Sequence, residues 1–133
     1  MNKTISICLI LVFLFCFNSF GGQYSIPEDE KNSQKIFYGA TDSFDKPAEV
    51  DYEAVVKATS EYASIKSKRI KTGTAKYWIL MSKASDHAVR VICEFAEESD
   101  YDLVVEKGYL ESLTTPIPSE NITNLIKKAI KKE

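Results

Sequence analysis

Apolar side chains recur along this chain at helical spacing until a short continuous apolar run replaces it, and that change divides the chain. Tyr77, Met81, Ala84, Ala88, Val91 and Phe95 step by 4, 3, 4, 3 and 4, with Ile92 and Ala96 widening the stripe. That spacing predicts a helix from about Ala75 to Glu98. Lys76 to Ser82 and Val89 to Phe95 are also rich in strand formers, so the alternative is an antiparallel meander turning at Ser85-Asp86. The long unbroken periodicity favours the helix. Upstream, Val55, Ala58, Tyr62 and Ile65 step by 3, 4 and 3 and predict a helix over Glu53 to Ile70. Asp51 is placed to cap it, and Lys66, Lys68, Arg69 and Lys71 crowd the end where the dipole favours cations. Gly73 suits a left-handed stop.

The helical period stops at Leu103-Val104-Val105, a short continuous apolar run rich in β-branched residues between acidic and glycine punctuation, which reads as a buried strand. Lys107-Gly108 offers a turn, after which Tyr109 to Leu113 is expected to return beside it as a hairpin. Ala48 to Tyr52 is a brief strand entering the first helix. Thr114 to Pro118 forms a stiff loop. A last helix carries Ile122, Leu125, Ile126, Ala129 and Ile130 on one face, with Ser119, Asn121 or Thr123 as its cap. The lysines around residues 127–132 read as a solvated helix end. The fold expected is α+β: an antiparallel two-helix hairpin projecting from a small β-sheet head, closed by a C-terminal helix.

The first part of the chain does not belong to that domain. Met1-Asn2-Lys3, then an almost wholly apolar run from Ile5 to Phe17, then small residues at 19–22, form the pattern of a secretory signal peptide over residues 1–22. The run is too short and unflanked to span a membrane, so no stable span is expected after cleavage. Neither Cys8 nor Cys16 follows the residues of a lipoprotein box. The mature chain keeps only Cys93, which rules out an internal disulfide and leaves burial, or association of copies, to stabilise a small exported domain. Residues 23–46, polar with Pro27 and Glu28-Asp29-Glu30-Lys31, read as a flexible leader. Within it Ile36-Phe37-Tyr38 is either a short edge strand or a set of aromatics that tack the leader down. The domain proper is expected over 47–133.

Little here points to catalysis. His87 has no companion ligands at metal-binding spacing and reads as an exposed helical histidine. Cys93 lies beside Ile92 in the widened stripe and reads as a small buried residue rather than a nucleophile. There is no Gly-x-Ser-x-Gly elbow and no phosphate-binding glycine loop. Glu94, Glu97, Glu98, Asp100 and Asp102 read as a solvated helix end rather than an acid–base pair. Asn121-Ile122-Thr123 matches a glycosylation sequon, although capping explains it equally. With a net charge of −2 the chain does not present a nucleic-acid surface. No enzyme activity and no cofactor are expected. The apolar excess is Tyr77-Trp78-Ile79-Leu80-Met81, which cannot all face one neighbour on a helix. Tyr77 and Met81 are expected against Tyr62, Ile65 and Arg69, leaving Trp78 and Ile79 over. Tyr62, Ile65, Tyr77, Trp78, Ile79 and Met81 are the candidate contact surface for apolar clients.

From Val91 to Lys132 the chain resembles the Skp/OmpH-like periplasmic chaperones. Ile92 to Glu98 followed by Tyr101-Asp102-Leu103-Val104-Val105 is similar to that family's helix running into its strand. Asn121-Ile122-Thr123 stands where the family commonly has Asp-Ile-Thr, and Val50-Asp51 with Val55-Val56 and Ser60-Glu61-Tyr62 is similar to its opening strand and helix. The resemblance implies a homotrimer whose strands build a shared head. In it Val50, Leu103, Val104, Val105, Tyr109 and Leu110 would form the oligomer core, and helical arms would hold unfolded outer-membrane or envelope proteins in the periplasm without ATP. This chain's helices are shorter than the family's arms, its net charge is acidic where those arms are basic, and Asn121 replaces an aspartate. The alternative is a structural or assembly module of the cell envelope with no client.

Overall fold

A computed structural model describes residues 22–132. The expected signal peptide lies outside the described residues except for Gly22. Four strands and four helices make a mixed α+β fold: β1 (Ile36–Gly39), β2 (Pro47–Val50), α1 (Tyr52–Ala58), α2 (Ser60–Ser67), α3 (Ala75–Glu98), β3 (Leu103–Glu106), β4 (Glu120–Asn121) and α4 (Thr123–Ile130). The sheet order is β1-β3-β2-β4. β3 runs antiparallel to β1 and parallel to β2, which is itself parallel to β4.

β3 is an interior strand between β1 and β2, and its pleat divides the core. Val104 joins Ala48 and Val50 under the helices, with Val55, Ala84, Ala88, Val91, Ile92, Ala96, Ile122 and Ile126. Leu103 and Val105 point the other way, into a second cluster with Ile26, Phe44, Tyr109, Leu110, Leu113 and Ile117. Strand alternation thus feeds two cores, one roofed by helices and the other by loops.

The segment 23–46 is not a flexible leader. Tyr24 and Phe44 exchange backbone hydrogen bonds of 2.9 and 3.0 Å, Ile26 and Phe44 are buried, and β1 is an edge strand of the sheet. The Tyr109 hydroxyl donates to Glu30 O at 2.8 Å and accepts from Asn32 N at 2.9 Å, fastening the turns Glu28–Glu30 and Ser33–Lys35 to the far end of the chain. Gly39 is needed where β1 ends. Its φ is +94°, and an added Cβ would stand 2.0 Å from Asp102 O.

The β-hairpin is replaced as well. After β3 the chain turns at Gly108, and Ser112 N donates to Gly108 O and Tyr109 O at 3.1 Å. Tyr109, Leu110 and Leu113 are spaced for one face of a turn of helix rather than a strand, so β3 takes β1 and β2 as neighbours instead.

The first helix is two. Thr59, 1% exposed, takes an extended backbone (φ −71°, ψ 154°) that ends α1 and opens α2. Its hydroxyl donates to Val56 O at 2.7 Å and accepts from Tyr62 N at 3.3 Å, closing one helix and capping the next. Asp51 caps α1 through Ala54 N at 3.0 Å, as its position predicts. Gly73 does not stop α2. Arg69 does, at φ 49°, with Ile70 N bonded to Ile65 O and Arg69 N to Lys66 O, the two reverse bonds of a Schellman motif. α3 covers Ala75–Glu98 as its periodicity predicts, capped by Thr74 through Tyr77 N at 3.2 Å, so Trp78 and Ile92 lie on one helix and the meander is excluded.

Candidate binding surface

α3 changes partners along its length. From Ala84 onward its buried side chains face the sheet core, whereas its first turns carry no fully buried side chain, and Tyr77 lines a pocket with α2 and the connecting residues. α2 is eight residues long, too short to cover an apolar run that winds round the whole helix. A shallow pocket here is lined by Tyr62, Ile65, Arg69, Ile70 and Tyr77. Ile65 is buried at its floor, Tyr62, Tyr77 and Met81 are half-buried, and Trp78 and Ile79 remain 60% and 57% exposed. The Tyr77 and Trp78 rings meet edge to face at 5.2 Å. Of the six candidates, Tyr62, Ile65 and Tyr77 line this pocket, Trp78 adjoins it through the Tyr77 ring, and Trp78 and Ile79 are the two left more than half exposed.

A polar brace fixes this end of the molecule. His87 Nδ1 lies 2.8 Å from Glu61 Oε2, joining α3 to α2. His87 is thus half-buried and bonded, not an exposed helical histidine. Burial pushes the Glu61 carboxyl up, but the bond to His87, its backbone hydrogen bond and the His87 charge together hold it below its ordinary value.

The remaining candidates resolve into structural roles. Cys93 is half-buried and donates to Phe37 O at 3.4 Å; burial, then Glu97 and Glu94, push its thiol up, away from the thiolate a nucleophile needs. Asp102 is half-exposed but bonded: it accepts from Asp45 N at 2.6 Å and Lys46 N at 2.9 Å and anchors the start of β2. Burial raises the Glu106 carboxyl against an opposing backbone bond from Tyr52. Asn121 Oδ1 accepts from Thr123 N at 3.0 Å, while the Thr123 hydroxyl accepts from Asp51 N at 2.9 Å, so the Asn-Ile-Thr sequence ties α4 to the start of α1. Among the described residues no cluster of His, Cys, Asp and Glu has metal-binding geometry, and no helix is long and apolar enough to cross a membrane.

The six residues expected to form an oligomer core are placed inside one chain. Val50, Leu103, Val104, Val105 and Leu110 are fully buried and Tyr109 is 4% exposed. A second apolar groove runs between α3 and α4 over Val91, Phe95, Leu125 and Ala129, edged by Glu94 and Glu98 on one side and Lys128 and Lys132 on the other. In the sequence these residues belong to the apolar faces of two helices, and no local pattern marks the gap between them. Comparison of the chain with protein-family models, with curated proteins and with solved structures gives no match.

Proposed function

We propose that this chain is an exported, ATP-independent binding protein of the Skp/OmpH-like kind, holding unfolded envelope or outer-membrane proteins at the α2–α3 end of the molecule. The observation that carries the reading is the exposure of Trp78 and Ile79 on a helix whose inner face is already satisfied. Each offers non-directional apolar contact of the sort that accepts many sequences, and Tyr62 and Tyr77 extend the patch with rings that tolerate water at one edge. Ile65 and Met81 act as its floor rather than as contacts. In this reading the two helices serve as a short antiparallel hairpin, and association of copies multiplies weak sites by effective concentration. Since the expected oligomer core is buried within one chain, copies have the edge strands β1 and β4 to pair through.

The test is light scattering of an unfolded outer-membrane protein diluted out of denaturant, with and without stoichiometric amounts of this protein. Suppression is expected, and Trp78→Ser with Ile79→Ser should abolish it while far-ultraviolet circular dichroism stays unchanged. Failure of the unaltered protein to suppress, or full suppression by the double variant, overturns the reading. The groove between α3 and α4 favours one other reading, an envelope assembly module seating a single folded partner. Leu125→Glu would then abolish co-purification of that partner and leave aggregation assays untouched.

A further inference from the structure

The chain holds 17 Lys and Arg against 19 Asp and Glu, yet from Glu61 to Asp86 it carries six cations and no intervening acid. Lys66, Lys68, Arg69, Lys71, Lys76 and Lys83 are all exposed. Among the described residues none of them has a carboxylate at ion-pair distance. Lys66 instead stands 5.8 Å over the Tyr62 ring.

Helix stability explains only part of this. Lys66, in the last turn of α2, sits where the dipole welcomes a cation. Lys76 sits in the first turn of α3, which contains no acidic residue, where the dipole opposes one. Arg69 occupies the left-handed stop of α2, at φ 49°, a position that glycine fills without steric cost. Folding alone favours an acid near 76 and a glycine at 69, and the chain has cations at both. Between Lys76 and Lys83 lie Trp78 and Ile79, the two most exposed large apolar side chains described.

We propose that this end of the α2–α3 pair docks on a bilayer surface carrying anionic phospholipid headgroups, the cations lying among the headgroups while Trp78 and Ile79 enter the interface. The two halves of the patch match the two halves of that surface. Lysine and arginine gain affinity from a negative leaflet, about fivefold per residue. Indole rings settle at headgroup depth, and an aliphatic neighbour adds apolar burial just below. A nucleic acid would use the charge and the indole but not Ile79, and an acidic polypeptide would use the charge alone. The proposal does not rest on client holding, which is assayed separately.

Trp78 is the chain's single tryptophan and reports its own depth. The purified protein is titrated with vesicles of phosphatidylcholine, and of phosphatidylcholine mixed with phosphatidylglycerol, following Trp emission and co-sedimentation. Binding with a blue shift is expected on the anionic vesicles only, weakening as salt shortens the screening length. Lys68→Gln with Lys71→Gln should weaken binding about 25-fold, given roughly fivefold per cation, whereas Lys127→Gln with Lys128→Gln at the end of α4 should leave it unchanged. Ile79→Ser should reduce binding without altering its salt dependence. Equal binding to both vesicles, no binding, or equal loss in the α4 variant overturns the proposal. So does an equal blue shift with polyglutamate or single-stranded DNA, which would assign the patch to a soluble polyanion. A protein that binds anionic vesicles but fails to suppress aggregation keeps this inference and loses the holding function.

Discussion

Leu103-Val104-Val105 and Tyr77-Trp78-Ile79-Leu80-Met81 are both uninterrupted apolar runs, and the fold treats them oppositely. All three β3 side chains are fully buried, while Trp78 and Ile79 stay more than half exposed. The difference lies in how many sides are covered. A strand presents two faces, and here helices cover one while Ile26, Phe44 and the loop from Tyr109 to Ile117 cover the other. A helix presents its whole circumference, and the first turns of α3 have one short neighbour. Apolar content sets what can be buried; the number of partners sets what is.

The contrast breaks first where burial is complete. Leu103→Ala empties a site roofed by loops and should cost about 3 kcal/mol, read as a lower denaturant midpoint with unchanged slope. Asp102→Ala removes the acceptor of the Asp45 and Lys46 amides, which water can replace at this half-exposed site, and should cost about 1 kcal/mol by the same measurement. Glu61→Gln weakens the brace to His87 and should cost about 1 kcal/mol at neutral pH. Because Glu61 is held below its ordinary value in the folded state, its contribution is present above that value and lost as pH falls through the lowered one. The gap between the two proteins in thermal melts should therefore close on acidification. Arg69→Gly relieves a left-handed arginine at the price of a looser unfolded chain, a net gain of about 0.5–1 kcal/mol. Ile79→Ser should move stability by less than about 0.5 kcal/mol. A large loss there would mean the run is covered after all and would remove the surface on which both proposals stand.

What was legible in the sequence follows the same division. α3 is legible to its ends because one period persists from Tyr77 to Ala96. β3 was legible from its β-branched run, but its neighbours were not, since Ile36 pairs with Val105 and Ala48 with both Val104 and Glu120, across separations no local pattern records. The order of residues 23–46 is illegible for that reason: Ile26 and Phe44 are isolated apolar residues in a polar stretch, and only the second core gives them a place. The hairpin after β3 had a local warning in Tyr109, Leu110 and Leu113, whose spacing fits a helical turn better than alternation. Thr59 carried no such sign, because a threonine inside a heptad-like stripe looks like any interior residue until its hydroxyl is seen closing α1. Trp78 and Ile79 were legible as leftovers. Helix-end preference accounts for Lys66, Lys68, Arg69 and Lys71 as a group, so the acid-free interval that they share with Lys76 and Lys83 has no local signal of its own.

β3 is interior to the sheet in space and late in the chain. A polypeptide delivered from its N-terminus offers Ile36–Gly39 and then Pro47–Val50 long before Leu103–Glu106 arrives to receive them. Until then α3 can coil, but the early strands have bare edges and nothing to zip against, the circumstance in which transient chains stray into one another. During its own biogenesis this molecule is an open, sticky polypeptide awaiting its final quarter.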